Sequence, residues 1–283
     1  MSGAMRRATE ADRAALLDYL EPRAPTSMFL LSNLADYGFD RAHRNAMRYW
    51  IAEEGSAVTG VVGLTEAGTL MPQLPPDLIE AAAKAVDGET IGLLLGPTEQ
   101  VTPLRAAIGL AGAKTQMVDD EPQLVLDMAD LKIPDTPGHL QKLETAPRDM
   151  LIEWRVGYEI EALKTDPAKA EEIGTRDIDN WIERDSHRVL IVDGAPVSMT
   201  GFNSMLPDIV QVGGVWTPHA LRRRGYASRA VALHLEEMRK SGVGRATLFA
   251  ASEDAARVYM NLGFRLIGRY TICLFAEPER ADV

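Results

Sequence analysis

Residues 210–238 read VQVGGVWTPHALRRRGYASRAVALHLEEM, and this stretch decides the fold. An apolar strand ends at Thr217-Pro218. A short basic loop, Arg222-Arg223-Arg224-Gly225-Tyr226-Ala227, leads straight into an amphipathic helix whose Val231, Leu235 and Met238 share one face, with Ala227 a turn before them. Strand, glycine-bearing loop and helix together make an anion site. The first N–H groups of a helix have no partner within it, and the helix dipole favours negative charge there. Gly225 lets the backbone approach a ligand, Ala227 keeps the first turn clear, and the arginines add charge-assisted hydrogen bonds. A phosphate or pyrophosphate is the natural guest.

The chain around this loop has 283 residues and a net charge of −11. Its 46% apolar and 25% charged residues exclude wholesale disorder. The length favours two domains. So acidic a chain argues against nonspecific nucleic-acid binding through the Arg222–Arg224 cluster, because such binding needs a basic surface to release counterions. The single cysteine, Cys273, excludes an internal disulfide framework and a cysteine-based metal cluster. The five histidines show no ligand spacing, so no metal is expected. No apolar run reaches the roughly 20 residues of a membrane span. The N-terminal residues lack the apolar core of a signal peptide. The expectation is a soluble cytoplasmic protein with no membrane partner.

A break is expected near 131–148, where Pro134, Pro137, Gly138 and Pro147 interrupt any helix. Residues 1–135 carry 11 bases against 20 acids, a balance of −9, and residues 136–283 carry the remaining −2. The N-terminal half reads as a strand at 5–8, a helix capped by Thr9 with Asp12, and a helix over 26–37. Strands at 46–53 and 57–64, a helix at 76–86, a strand at 91–96, a helix over 103–111 and a strand at 123–128 follow. The C-terminal half reads as helices at 150–163 and 167–184, strands at 187–193, 196–204 and 208–217, a helix at 225–240, a strand at 246–251, a helix at 253–261 and strands around 264–276. Asp193-Gly194 is a strong hairpin turn. The fold class is α+β, with a similar layout in each half.

Two motifs carry a family resemblance. Arg222-x-x-Gly225-x-Ala227 matches the Q/R-x-x-G-x-G/A motif of the GNAT superfamily of N-acetyltransferases. Ala255-Ala256-Arg257-Val258-Tyr259-Met260-Asn261-Leu262-Gly263-Phe264 resembles the A-A-R-x-x-Y-x-x-L-G-F signature of the same superfamily. They stand in the family's order, about 30 residues apart. The close match covers roughly residues 187–276.

The resemblance implies two acetyltransferase-like domains, each a mixed, mostly antiparallel sheet flanked by helices. Residues 1–135 would form a degenerate copy and 136–283 the acetyl-CoA-binding domain. The implied activity moves an acyl group from coenzyme A directly to a primary amine on a small molecule or peptide. Val215, Trp216 and Thr217 would meet the pantetheine arm. Arg222, Arg223, Arg224, Gly225, Tyr226, Ala227 and Ser228 would wrap the pyrophosphate. Ser252 stands where many members place asparagine. Tyr259 would protonate the departing thiolate, which a phenol of pKa near 10 can do at neutral pH. Arg223 departs from the family, occupying a common glycine position, and His219-Ala220 replaces Pro-Glu.

Asp208 and Gln211, with Asn203 as a polar neighbour, are the candidates near a general base, and none is assigned. Met199, Met205 and Met260 are expected in the core, with Met199 and Met205 the two that could line an acceptor pocket. Cys273 is read as a packing residue, and His234 as a packing or polar-face residue. In the first half the turn Gly96-Pro97 into the next helix carries Glu99 and no R-x-x-G-x-A, so that half should not bind coenzyme A. A homodimer is compatible with this reading, as is an inactive acyl-CoA-binding regulatory module.

Overall fold

The computed structural model describes residues 4–39 and 42–283. The chain forms two compact units, residues 1–121 with 268–283, and residues 122–267.

In the first unit β1 (Arg6–Arg7), α1 (Arg13–Leu20) and α2 (Ala24–Tyr37) precede β2 (Met47–Glu54), β3 (Ala57–Thr65) and β4 (Thr69–Gln73). Next come α3 (Ile79–Ala85), β5 (Thr90–Pro97), α4 (Thr98–Ala107) and β6 (Thr115–Asp127). The second unit continues with β7 (His139–Lys142), α5 (Arg148–Ala162), α6 (Pro167–Glu183), β8 (His187–Val192), β9 (Ala195–Met205) and β10 (Ile209–Trp216). Then follow α7 (Tyr226–Lys240), β11 (Arg245–Phe249), α8 (Glu253–Asn261) and β12 (Arg265–Arg280).

Each unit repeats one plan. β1 to β4 pair antiparallel in succession, β4 pairs parallel with β5, and β5 pairs antiparallel with Tyr270–Arg280 of β12. In the second unit β7 to β10 pair antiparallel, β10 pairs parallel with β11, and β11 pairs antiparallel with Gln123–Asp127 of β6. Helix pairs α1–α2 and α5–α6 occupy equivalent places, as do α3 and α7, and α4 and α8. The mixed, mostly antiparallel architecture expected for both halves is therefore present, and so is the repeat.

The division of the chain differs from the single break expected near 135. The last strand pairs with β5, so residues 268–283 belong to the first unit. The first unit ends at 121 because Gln123–Asp127 pairs with β11. The proline-rich stretch read as a break also holds strand β7, whose His139–Lys142 pairs with Arg188–Ile191. Strand β4 was not foreseen, because Pro72 interrupts its short run. Helix α4 begins at Thr98, before Pro103, and not at Pro103.

Apolar burial follows the two periodicities. Leu70, Leu94, Leu104, Cys273 and Phe275 lie in the first unit's core. Val210, Val212, Val231, Leu235, Leu248 and Phe264 lie in that of the second. Cys273 is buried in the final strand, as a small apolar residue would be. His234 packs on Phe202, with ring centroids 4.1 Å apart. Met199 is buried, but Met260 lies exposed on α8 and does not join the core. Among the described residues no helix is long and apolar enough to cross a membrane, and no cluster of histidine, cysteine or carboxylate side chains could hold a metal ion.

Candidate functional site

The site starts from a strand pair that separates. β10 and β11 pair only at Ile209–Gln211 with Arg245–Thr247. β10 then runs on to Trp216, while β11 stays paired through Phe249 only with β6 on its other side. Against β9, the register of β10 breaks between Gly213 and Trp216. Gly214 has φ +62°, a left-handed backbone that suits glycine and marks a bulge. The strand thus bends away where its peptide groups face an open crevice.

Ser198 secures the end of β10. Its hydroxyl donates to the Trp216 carbonyl (3.0 Å) and lies 2.8 Å from the Thr217 hydroxyl. A tight turn over His219–Leu221 follows. The loop then reaches Gly225, which precedes α7 with φ +79°. A Cβ at Gly225 would stand 2.7 Å from the Thr136 hydroxyl, so the position has no room for a side chain. Arg223, at the family's glycine position, also adopts a left-handed backbone, φ +62°. The fold keeps the glycine conformation although the glycine is gone.

A cavity of about 510 Å³ opens here. Val215, Trp216, Thr217, Arg222, Arg223, Gly225, Tyr226, Ala227 and Ser228 line it. Arg224 does not line it, and donates instead to the Ala220 carbonyl at 3.3 Å. Ser252 does not line it either. It caps α8, its hydroxyl accepting the Ala255 N–H at 3.1 Å. From α8 the cavity receives Val258. Tyr259, the next residue, is half-buried and packs edge-on to Phe264, with centroids 6.0 Å apart.

Sequence reasoning missed the wall supplied by the last turns of α5. Tyr158, Glu161 and Ala162 line the cavity, and their spacing puts them on one helix face. Glu161 grips the motif arginine. Its two carboxylate oxygens accept from Arg222 Nη1 (2.7 Å) and Nη2 (2.9 Å), and His219 Nε2 lies 2.8 Å away. Arg222 also donates Nε to the Thr217 carbonyl (2.9 Å) and lies over the Trp216 ring at 4.8 Å. The Arg222 guanidinium, with a smaller push from His219, holds the Glu161 carboxyl below the usual carboxylate range.

The candidate bases fare differently. Asp208 is bound to Arg245 at 2.8 Å, before the start of β10. Seven residues of extended strand separate it from Val215, roughly 23 Å at 3.3 Å per residue. Gln211 is buried and donates to the Val212 carbonyl at 2.8 Å. Asn203 is exposed, its carboxamide lying over the Cα of Gly213.

In the first unit the equivalent crevice is filled. β4 and β5 pair only at Thr69–Leu70 with Leu93–Leu94 before β4 runs on. There Gln100 accepts the Leu74 N–H at 2.7 Å, and a Cβ at Gly96 would sit 3.0 Å from both Pro72 and Val101. The turn equivalent to the basic loop is β4–α3, not the Gly96-Pro97 turn compared from sequence. It reads Leu74-Pro75-Pro76-Asp77. Two prolines remove two N–H donors, and Asp77 opposes an anion.

The second unit thus presents a parallel strand pair that opens onto a glycine-bearing basic loop. The profile of the acetyltransferase (GNAT) family matches residues 149–264, so the chain carries a GNAT acetyltransferase domain. Among solved structures, a tandem GNAT protein from the clavulanic acid biosynthesis pathway is 15% identical. It aligns over 98% of each chain with a TM-score of 0.56. A protein from Drosophila is 14% identical over 96% of this chain and 98% of its own, with a TM-score of 0.64. A GCN5-related N-acetyltransferase from Sphaerobacter thermophilus is 13% identical over 99% and 96%, with a TM-score of 0.56. These likenesses extend over the two units and concern the fold. No curated protein matches the chain.

Proposed function

We propose that this protein is an acetyl-CoA-dependent N-acyltransferase that moves an acyl group to a primary amine within a ternary complex. The observation that carries the reading is the crevice between β10 and β11, open at the Gly214 bulge and ending on the Arg222–Ser228 loop. Backbone groups of Val215 to Thr217 meet the pantetheine arm, and one N–H polarises the thioester carbonyl. The N–H groups opening α7, from Tyr226 to Ser228, take the pyrophosphate, with Arg222, Arg223 and Arg224 supplying charge. Ser252, already holding the Ala255 N–H, keeps its hydroxyl hydrogen for the cofactor. Tyr259 protonates the thiolate as it leaves.

The catalytic domain of this reading is the second unit. The first unit, with its filled crevice, takes no coenzyme A and contributes a scaffold. The acceptor is a small molecule or peptide, and the protein works in the cytoplasm without metal, nucleic acid or membrane partner. A homodimer is consistent with it.

Calorimetry with coenzyme A and acetyl-CoA tests the reading, and no heat of binding at millimolar ligand would overturn it. The alternative, an acyl-CoA-binding regulatory module, is separated by thiol release from acetyl-CoA across a panel of amines, amino acids and peptides. Saturable, acceptor-dependent release supports the enzyme.

A further inference from the structure

The sheet face beneath α6 holds a group that the acyl-transfer reading does not use. His187 opens β8 and is wholly buried. Its ring stacks on Trp181, with centroids 3.7 Å apart and planes within 9°. Its Nδ1 lies 2.9 Å from the Ser186 hydroxyl. Its Nε2 has no hydrogen-bond partner among the described residues.

Two glycines make room for this ring. A Cβ at Gly201 would lie 2.0 Å from His187 Cδ2, and a Cβ at Gly214 would lie 2.5 Å from Nε2. The nitrogen therefore abuts the bulge residue of β10, next to Val215 and Trp216 in the cavity wall. Burial pushes the imidazole well below its usual pKa, and His234, Arg155, Arg184 and Arg188 push the same way, so the ring is neutral. An aliphatic side chain would fill the space without leaving a buried nitrogen unpaired. The position thus bears a polar cost at the point where the acyl-bearing strand bends.

We propose that His187 is a positioning residue for acyl transfer: clamped by Trp181 and Ser186, it braces the Gly214 bulge so that the Gly214–Trp216 peptide groups stay aimed at the thioester carbonyl. It touches neither substrate and acts through the strand. The inference rests on the acyl-CoA reading above. It assigns to this ring the pre-organisation that makes backbone donors effective, since a misplacement of about 1 Å can cost 100-fold in rate.

The test compares wild type, His187→Phe and His187→Gln. Phenylalanine keeps the ring and the stack and removes both nitrogens. Glutamine gives up the stack but returns a polar amide to bond the Ser186 hydroxyl. Three quantities are read: kcat for thiol release from acetyl-CoA with the fastest amine of the panel, the Kd of coenzyme A by calorimetry, and the Gly214 and Val215 amide resonances. For His187→Phe, kcat should fall 10- to 100-fold, Kd should stay within twofold, and the two resonances should shift. His187→Gln should recover at least threefold in kcat over the phenylalanine variant. A kcat within twofold of wild type in His187→Phe overturns the proposal. So does a loss of coenzyme A affinity equal to the loss of kcat, or a glutamine variant no better than phenylalanine. Should His187→Phe fail to fold by circular dichroism, His187→Gln against wild type decides, and unchanged kcat and resonances there overturn it. If wild type itself binds no coenzyme A, the acyl-CoA reading falls and carries this inference with it. Wild-type binding and turnover with an indifferent His187→Phe removes this inference alone.

Discussion

Glu161 occupies, from within the protein, the charge that the proposed pyrophosphate site would use. Its carboxylate binds Arg222 through two hydrogen bonds of 2.7 and 2.9 Å and adds a contact to His219. The Arg222 and Glu161 side chains are 31% and 43% exposed, so water screens the pair. Exposed pairs of this kind contribute about 0.2–1 kcal/mol, and fork-to-fork geometry places this one near the top. His219 adds little, being 75% exposed. Coenzyme A that recruits Arg222 must first displace Glu161, so that ~1 kcal/mol is subtracted from its binding. Glu161→Gln keeps the shape and one accepting oxygen and removes the charge. The expected result is coenzyme A binding 2- to 5-fold tighter, since 1.4 kcal/mol is tenfold.

Calorimetry at low and high salt measures this, and the gain should shrink at high salt, where exposed charges are screened. An unchanged or weaker Kd would refute the reasoning and place the phosphates away from Arg222. The pH dependence has a definite sign. The folded-state pKa of Glu161 is lowered, so the contact is complete above the ordinary carboxylate pKa and is lost only as pH falls through the depressed value. Between pH 6 and 8 the advantage of the variant should therefore be constant.

Tyr259→Phe should lower kcat by about 100-fold or more with the Kd of coenzyme A within twofold, the size expected for losing a general acid. An equal loss in both would make it a packing residue. Arg223→Gly relieves a left-handed backbone worth about 1–2 kcal/mol and incurs about 0.5–1 kcal/mol of glycine entropy. Urea unfolding should find the variant unchanged or up to ~1.5 kcal/mol more stable, while calorimetry finds weaker coenzyme A binding. Calorimetry should also return one coenzyme A per chain, and two would contradict the filled first crevice. His234 is held to about 3 by burial and Arg188, and His187 is lowered likewise. Both are neutral when folded and take protons only when unfolded, so stability should be flat above pH ~6.5 and fall below it. Two such groups give a slope approaching ~2.7 kcal/mol per pH unit between about pH 6 and 4. Urea unfolding at pH 7, 6 and 5 measures it, and a slope below one proton's worth would show that a ring is solvated.

The second unit was readable because its elements follow regular periods and its loop carries unusual chemistry. Strands β8 to β10 and helices α5 to α8 lie within a few residues of their predicted places. Nine of the residues expected at the cofactor lie around one cavity. What the sequence could not disclose were long-range pairings. Nothing local in Tyr270–Arg280 says that it pairs with β5, 170 or more residues earlier, and so the domain division was misplaced. β7 is four residues among prolines, too short to show alternation. Glu161 is an ordinary helix carboxylate until folding brings it across 61 residues to Arg222.

In the acyl-CoA reading, the two units show how little need change for one plan to keep or lose a ligand. Both separate a parallel strand pair after two or three residues. In the second unit the bent strand carries Gly213-Gly214 and leads to a loop whose N–H groups point outward at a helix start. In the first, Pro75 and Pro76 delete donors at the matching turn, and Asp77 supplies the wrong charge. The Leu74 N–H, which would face a ligand, is satisfied internally by Gln100. Buried peptide groups at a separated strand must find partners, and a side chain from α4 can provide one as well as a ligand can. Closing the first crevice thus leaves the Leu74 N–H with a partner. The second, in the acyl-CoA reading, leaves its peptide groups to the ligand, and Arg222 is held by Glu161 until an anion competes for it.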